Sequence, residues 1–137
     1  MSAILVPTEL LTGVAEMDGQ HDRLFQEIQQ VKDGLLAAGD VQGYGLALLS
    51  RLADDLDRHF MWEEESARAN GIPFADHARD HARIGAFVRA KIRELNRGEC
   101  NIPALMVFMD RCFETHVVHH DLKLGRDLLA SQAQIAV

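Results

Sequence analysis

The sequence predicts an all-α protein, an up-down-up-down four-helix bundle with an N-terminal arm over about residues 1–17. Three observations carry that expectation. Apolar residues recur every three or four positions throughout, and no stretch alternates as a strand would. Apolar content is 47%, yet aromatics are only 6% and prolines number three, which suits a helical bundle better than a β-sandwich. Short polar connections separate four long amphipathic segments, as antiparallel helical neighbours require.

The first helix is expected over about 18–38. Opening near Asp18 or Gly19, it sets His21, Phe25, Ile28 and Leu35 on one side, with Leu24 and Val31 beside them, until Gly39-Asp40 stops it. The second, about 42–69, brings Leu49, Leu52 and Leu56 up to His59 and ends at Asn70-Gly71. Pro73 opens the third, about 74–95, where His77, His81, Ile84, Val88, Ile92 and Leu95 share a stripe. A polar connection from Asn96 to Asn101 follows, with Gly98 inside it. The fourth, about 102–130, is capped by Asn101 or Ile102, has Pro103 in its first turn, and carries Leu105, Met109, Cys112, Phe113, His116 and Leu124. With 137 residues and no linker, low-complexity run or repeat, one domain is expected.

Charge excludes some function classes. Lys and Arg total 14 against 21 Asp and Glu, a net −7, and the two signs are interleaved. No basic stripe is present to hold nucleic acid. The opening stretch MSAILVPTELLTGVAEM lacks a basic leader and is interrupted by Pro7, Glu9 and Glu16, so neither a signal peptide nor a membrane span is expected. Cys100 and Cys112, separated by a mostly helical segment, would lie roughly 15–18 Å apart, too far for a disulfide. A reduced, cytoplasmic protein is the expectation.

The chemistry lies in seven side chains: His21, His59 with Glu63, His77 with His81, and His116 with Asp121. Members of each pair are four or five residues apart, so a helix turns both toward one side. The five histidines fall on the stripes that the neighbouring apolar residues mark as buried. Buried imidazoles need hydrogen bonds or metal, and buried carboxylates need a partner still more. Bound cations would satisfy all seven together. A structural zinc site would be tetrahedral and rich in Cys, and calcium or magnesium would demand mostly oxygen. Five nitrogens and two carboxylates suit two near-six-coordinate transition ions with bridging carboxylates. Iron is expected first, and manganese, cobalt or zinc fit the same cage.

Neighbouring residues leave one choice open. His116 and His120 form their own HxxxH pair, and at about 100° per residue His120 projects between His116 and Asp121. Spacing does not choose between them. His119 points away, Glu64 reads as a solvated or supporting group, Glu65 as a surface charge, and Trp62 as packing at the bundle edge.

The motifs MDGQHDRLF around His21, HFMWEE around His59 and Glu63, HARDH for His77 and His81, and THVVHHD for His116 and Asp121 resemble the hemerythrin family, in its single-domain bacterial form, over about residues 13–128. The resemblance implies two iron ions (Fe2+/Fe3+), hydroxo- or oxo-bridged. It puts His77, His81 and His116 on a coordinatively full iron, His21 and His59 on one with an open position, and Glu63 and Asp121 between them. Its H-x4-D pattern selects His116 and leaves His120 as a supporting candidate. The implied function is reversible O2 binding for carriage, storage or delivery, with NO, peroxide and small anions as other ligands. Phe25, Leu56, Phe60, Ile84 and Phe113 are expected to line the pocket and keep out bulk water. Two positions depart from the family pattern: Cys112 stands where relatives often carry Trp, and Leu124 where Tyr is frequent, both expected to reduce bulk near the site. A binder rather than an enzyme is expected. The alternatives are an O2 or redox sensor acting through a partner protein, and a di-iron oxidase, peroxidase or NO-handling enzyme. A phosphotransfer bundle would need one exposed His beside a basic residue, and only His119 near Lys123 approaches that.

Overall fold

The computed structural model describes residues 6–36 and 41–135. Among the described residues all regular structure is helical. Helix α1 spans Ala15–Leu36, α2 Leu46–Ala69, α3 Ala75–Asn96 and α4 Ile102–His116. A π-helical turn, Val117–Asp121, joins α4 to α5, Leu122–Ile135, with helical backbone on both sides, so the three form one fourth rod. A second π turn, Val41–Gly45, leads into α2, and a 3-10 turn, Thr8–Leu10, precedes α1. The four rods make an all-α four-helix bundle.

Helix ends follow from local chemistry. After α2 the chain closes a Schellman turn: Ile72 N–H donates to Ala67 O at 2.9 Å and Gly71 N–H to Arg68 O at 3.3 Å. Gly71 takes φ +65°, which an L side chain would resist. Asn101 is the N-cap of α4, its side chain accepting from Ala104 N–H at 3.0 Å.

α1 begins three residues before the expected Asp18. Asp18 does not cap the helix; from its first turn it reaches back to the arm. Its carboxylate accepts from Thr12 N–H at 2.8 Å, Thr12 Oγ1 at 2.7 Å and Gly13 N–H at 3.1 Å. Thr12 in turn rests on Gly125, where a Cβ would come within 2.7 Å of the Thr12 Cβ. The arm is therefore tied to the first and last helices, with Val6 and Leu10 buried in the main core. Its residues 1–5, and the expected end of the first helix at 37–38, lie outside the described residues. The last rod runs five residues past the expected 130, because Ser131 to Ile135 contains no Gly or Pro to stop it.

Two apolar clusters fill the bundle. The larger includes Leu24, Leu56, Phe60, Ile84 and Phe113, and the smaller Met17, Ala67, Leu124 and Leu128 with Phe74 and Trp62 against it. In every rod the candidate ligands lie between the two: His21 between Met17 and Leu24, His59 and Glu63 between Leu56 and Ala67, His77 and His81 between Phe74 and Ile84, His116 and Asp121 between Phe113 and Leu124. A polar layer is thus sealed by hydrocarbon above and below.

Candidate metal centre

All seven predicted donors are buried, with Glu63, His21 and Asp121 fully so. They form two overlapping groups: Glu63, His77, His81, His116 and Asp121 in one, and His21, His59, Glu63 and Asp121 in the other. The two carboxylates belong to both.

In the first group three imidazole nitrogens converge. The His116 Nε2 is 3.2 Å from the Nε2 of His77 and 3.2 Å from that of His81. Asp121 Oδ1 lies 2.8 Å from His77 Nε2 and 3.1 Å from His116 Nε2, and Glu63 Oε1 lies 3.0 Å from His81 Nε2. Atoms held about 2.1 Å from one ion at right angles would stand about 3.0 Å apart, so the spacing matches an ion's coordination sphere. In the second group Asp121 turns its other oxygen, Oδ2, to His21 Nε2 at 2.9 Å, while Glu63 faces His59 Nε2 at 3.4 Å and His21 Nε2 at 3.9 Å. The two Asp121 oxygens address different groups.

The π turn creates this arrangement on the fourth rod. The expectation that a five-residue spacing turns both members to one side fails for a regular α-helix, where the fifth residue is rotated by about 140° and Asp121 would be carried away from His116. The i→i+5 pairing of the π turn absorbs one extra residue and returns Asp121 to the same face. His120 is then left at the edge. Its ring stacks on His77 at 5.1 Å, its side chain is 25% exposed, and its Nε2 is 3.8 Å from Asp80 Oδ2. It belongs to neither of the groups that share Glu63 and Asp121, and clusters instead with Asp80 and His116.

Without cations the layer is electrostatically unsatisfied. Both nitrogens of His21, Nε2 of His59 and all four oxygens of Glu63 and Asp121 are buried without a hydrogen bond of good geometry, close as several of them lie to one another. Buried polar atoms are rarely left so. Burial, reinforced by neighbouring imidazoles, depresses His59 to about 3 and His81 to about 2, so both rings are neutral with a lone pair to give. Burial and the adjacent Asp121 carboxylate push Glu63 well above the usual carboxylate range. Burial acts upward on Asp121 as well, but His116, His21 and His77 outweigh it and hold Asp121 well below its ordinary value. Five imidazoles, His59 and His81 among them neutral, and two crowded carboxylates aimed at common points fit two divalent or trivalent cations.

The expected lining is met unevenly. Phe60 stacks on His81 at 3.8 Å, Phe113 stands edge-on to His21 at 5.4 Å, and the half-buried Phe25 backs Phe113 at 5.2 Å. Leu56 and Ile84 join the same core. Cys112 is half-buried against the main core beside Arg83 and Asp80, where burial raises its thiol. It lies one position off the inward face that Phe113 and His116 occupy. Leu124 packs with Met17, Ala67 and Leu128 beyond the donors. Cys100 and Cys112 are both free thiols. Glu64, Glu65 and His119 are exposed, and Trp62 packs at the edge of the smaller cluster.

Three contributors were not singled out from the sequence. Asp80 accepts from the His116 Nδ1–H at 2.6 Å, Gln20 accepts from the His59 Nδ1–H at 2.7 Å, and Phe74 stacks on His77 at 4.3 Å. Asp80 and Gln20 each directly precede a ligand candidate in the chain, which is the one signal that was available.

A helical bundle whose interior gathers five imidazoles and two carboxylates has the donor set of a metal-binding protein. Over residues 12–126 the chain matches the hemerythrin HHE cation-binding domain, and it belongs to that family. No curated protein and no solved structure matches it. Among the described residues no helix is long and apolar enough to cross a membrane.

Proposed function

We propose that the chain binds O2 reversibly at two iron ions and serves as a carrier or store. The observation that carries this reading is the inequality of the two donor groups. With Glu63 and Asp121 shared, one position has three histidines and the other only two. The His21/His59 position is thus short of protein ligands and keeps room for a small molecule. O2 is the ligand proposed, and NO, peroxide or small anions suit the same opening.

Bound as Fe2+, the pair would supply an open coordination position and the electrons that reversible O2 binding draws on. Everything else falls to the chain. His77, His81 and His116 would hold one ion, His21 and His59 the other, and the two carboxylates both. Phe113 and Phe25 cover the His21 side with apolar surface, limiting water where the ligand would sit. Five imidazole ligands, which bring no negative charge to a metal, compensate high-valent metal less than the carboxylate-rich sets of oxygen-activating bundles, which favours release over reduction of O2. A binder in the reduced cytoplasm, rather than an enzyme, is the corresponding role.

The test is anaerobic loading of the metal-free protein with Fe2+, counting ions, then adding and removing O2. Two ions per chain, and a visible absorption band that appears with O2 and vanishes on deoxygenation, are expected. Fewer than two ions, or continuous O2 consumption without a reversible band, would sink the proposal.

A further inference from the structure

Each donor group is backed by one outer hydrogen bond, and the two backing groups differ in charge. On the five-donor side, His116 Nδ1–H donates to the Asp80 carboxylate at 2.6 Å. Arg83 Nε fixes that carboxylate by donating to its other oxygen at 2.9 Å. On the four-donor side, His59 Nδ1–H donates to the Gln20 amide oxygen at 2.7 Å, and the Gln20 amide nitrogen donates to Glu16 Oε1 at 3.0 Å. Chemistry fixes the amide orientation. The Glu16 carboxylate only accepts, so the Gln20 nitrogen must face it and the oxygen must face His59. The remaining ring on this side, His21, has no partner on Nδ1.

The two contacts are built alike. Asp80 precedes His81 on α3 and serves His116 on the facing α4. Gln20 precedes His21 on α1 and serves His59 on the facing α2. Only the charge differs. A ring that donates to a carboxylate shares its Nδ1 proton more fully than one that donates to an amide, so its Nε2 becomes the stronger donor.

We propose that Asp80 and Gln20 are positioning residues that set the two metal positions apart in strength, Asp80 reinforcing the one that His116 faces and Gln20 leaving the one that His59 faces weaker. This rests on the two-metal reading above. The weaker position is also the one short of protein ligands, so the ion that meets the incoming molecule is the less strongly donated one. Carboxylate on one side and amide on the other thus add to the asymmetry that ligand number begins.

Anaerobic titration of the metal-free protein with Fe2+ against a competing chelator tests this without reference to O2. The wild type should take up two ions in steps of unequal affinity. Asp80→Asn should weaken the tighter step by about 10–100-fold and leave the weaker step in place. Gln20→Glu should strengthen the weaker step by about 10-fold and narrow the gap. A gain in affinity does not arise from misfolding, so the second variant guards against a merely damaged first one. Both steps moving together in either variant, or no change in the weaker step of Gln20→Glu, would overturn the proposal. Fewer than two ions in the wild type is a separate result, and overturns the two-metal reading itself.

Discussion

His81 and His120 lie on adjacent helices near the same cluster, yet they face different partners. His81 Nε2 points at Glu63 and His116, while its ring lies flat on Phe60 at 3.8 Å. His120 stacks on His77 and turns its Nε2 toward Asp80. His81→Ala should therefore leave at most one tightly held iron per chain and lower the melting temperature of the metal-loaded protein toward that of the metal-free form, because bound metal stabilises only the folded state. His120→Ala should retain both ions. Colorimetric iron counts on the two purified variants decide the matter. Two ions in His81→Ala, or the loss of one in His120→Ala, would contradict the donor assignment.

The fourth rod shows how an element can carry one residue too many and still keep its register. The π turn houses the five residues Val117 to Asp121, and Val118 within it is exposed. Deleting Val118 would leave His116 and Asp121 four apart, the spacing at which a regular α-helix puts both on one face. Leu124 and Leu128 would keep their faces as well. A one-residue deletion elsewhere in a helix rotates everything beyond it by about 100°. Deletion of Val118 is accordingly expected to preserve folding and two-metal binding. Deletion of the exposed Arg111 in α4 should abolish both, because it breaks the register between Leu105 or Met109 and the donors. Circular dichroism melts and metal counts on the two deletions provide the comparison; equal damage in both would argue against the π turn as the means of alignment.

For the molecule as a whole, the polar layer ties stability to pH. His59 and His81 are held near 3 and 2 when folded without metal, against 6.5 when unfolded. Below about 6.5 the unfolded chain takes up protons that the folded chain refuses, so stability falls as the pH falls, until the folded rings protonate near 3. Each group contributes up to about 1.4 kcal/mol per pH unit in that window. Glu63, with its folded value raised, acts in the opposite direction above its ordinary 4.5. Glu27 and His116, also raised, act with Glu63, and His120, also lowered, acts with His59 and His81; the large His59 and His81 shifts leave a net loss. The melting temperature of the metal-free protein should drop between pH 7 and pH 4, as differential scanning calorimetry would measure. A flat or rising trend on acidification would show that these rings are not buried neutral.

The helical class, the four rods and six of the seven donors were legible in the sequence, because a 3.6-residue period and pairs at close spacing are local properties of the chain. So were the stops at Asn70-Gly71 and Gly98, where a positive φ favours glycine. The start of α1 was not, because Asp18 looks like a cap in sequence and its carboxylate is instead drawn to Thr12 and Gly13. Nor was the choice between His116 and His120, since a regular helix puts His120 nearer His116 than Asp121 is, and only the π turn reverses that order. Asp80 and Gln20 escaped notice for a related reason: each serves a histidine on a different helix, a pairing with no signature in local spacing. Composition and periodicity determined by themselves that this chain folds as a helical bundle with a nitrogen-rich interior. Which oxygen faces which imidazole, and which ring is backed by a charge, depended on helices packing side by side, since those contacts join residues 35 or more positions apart.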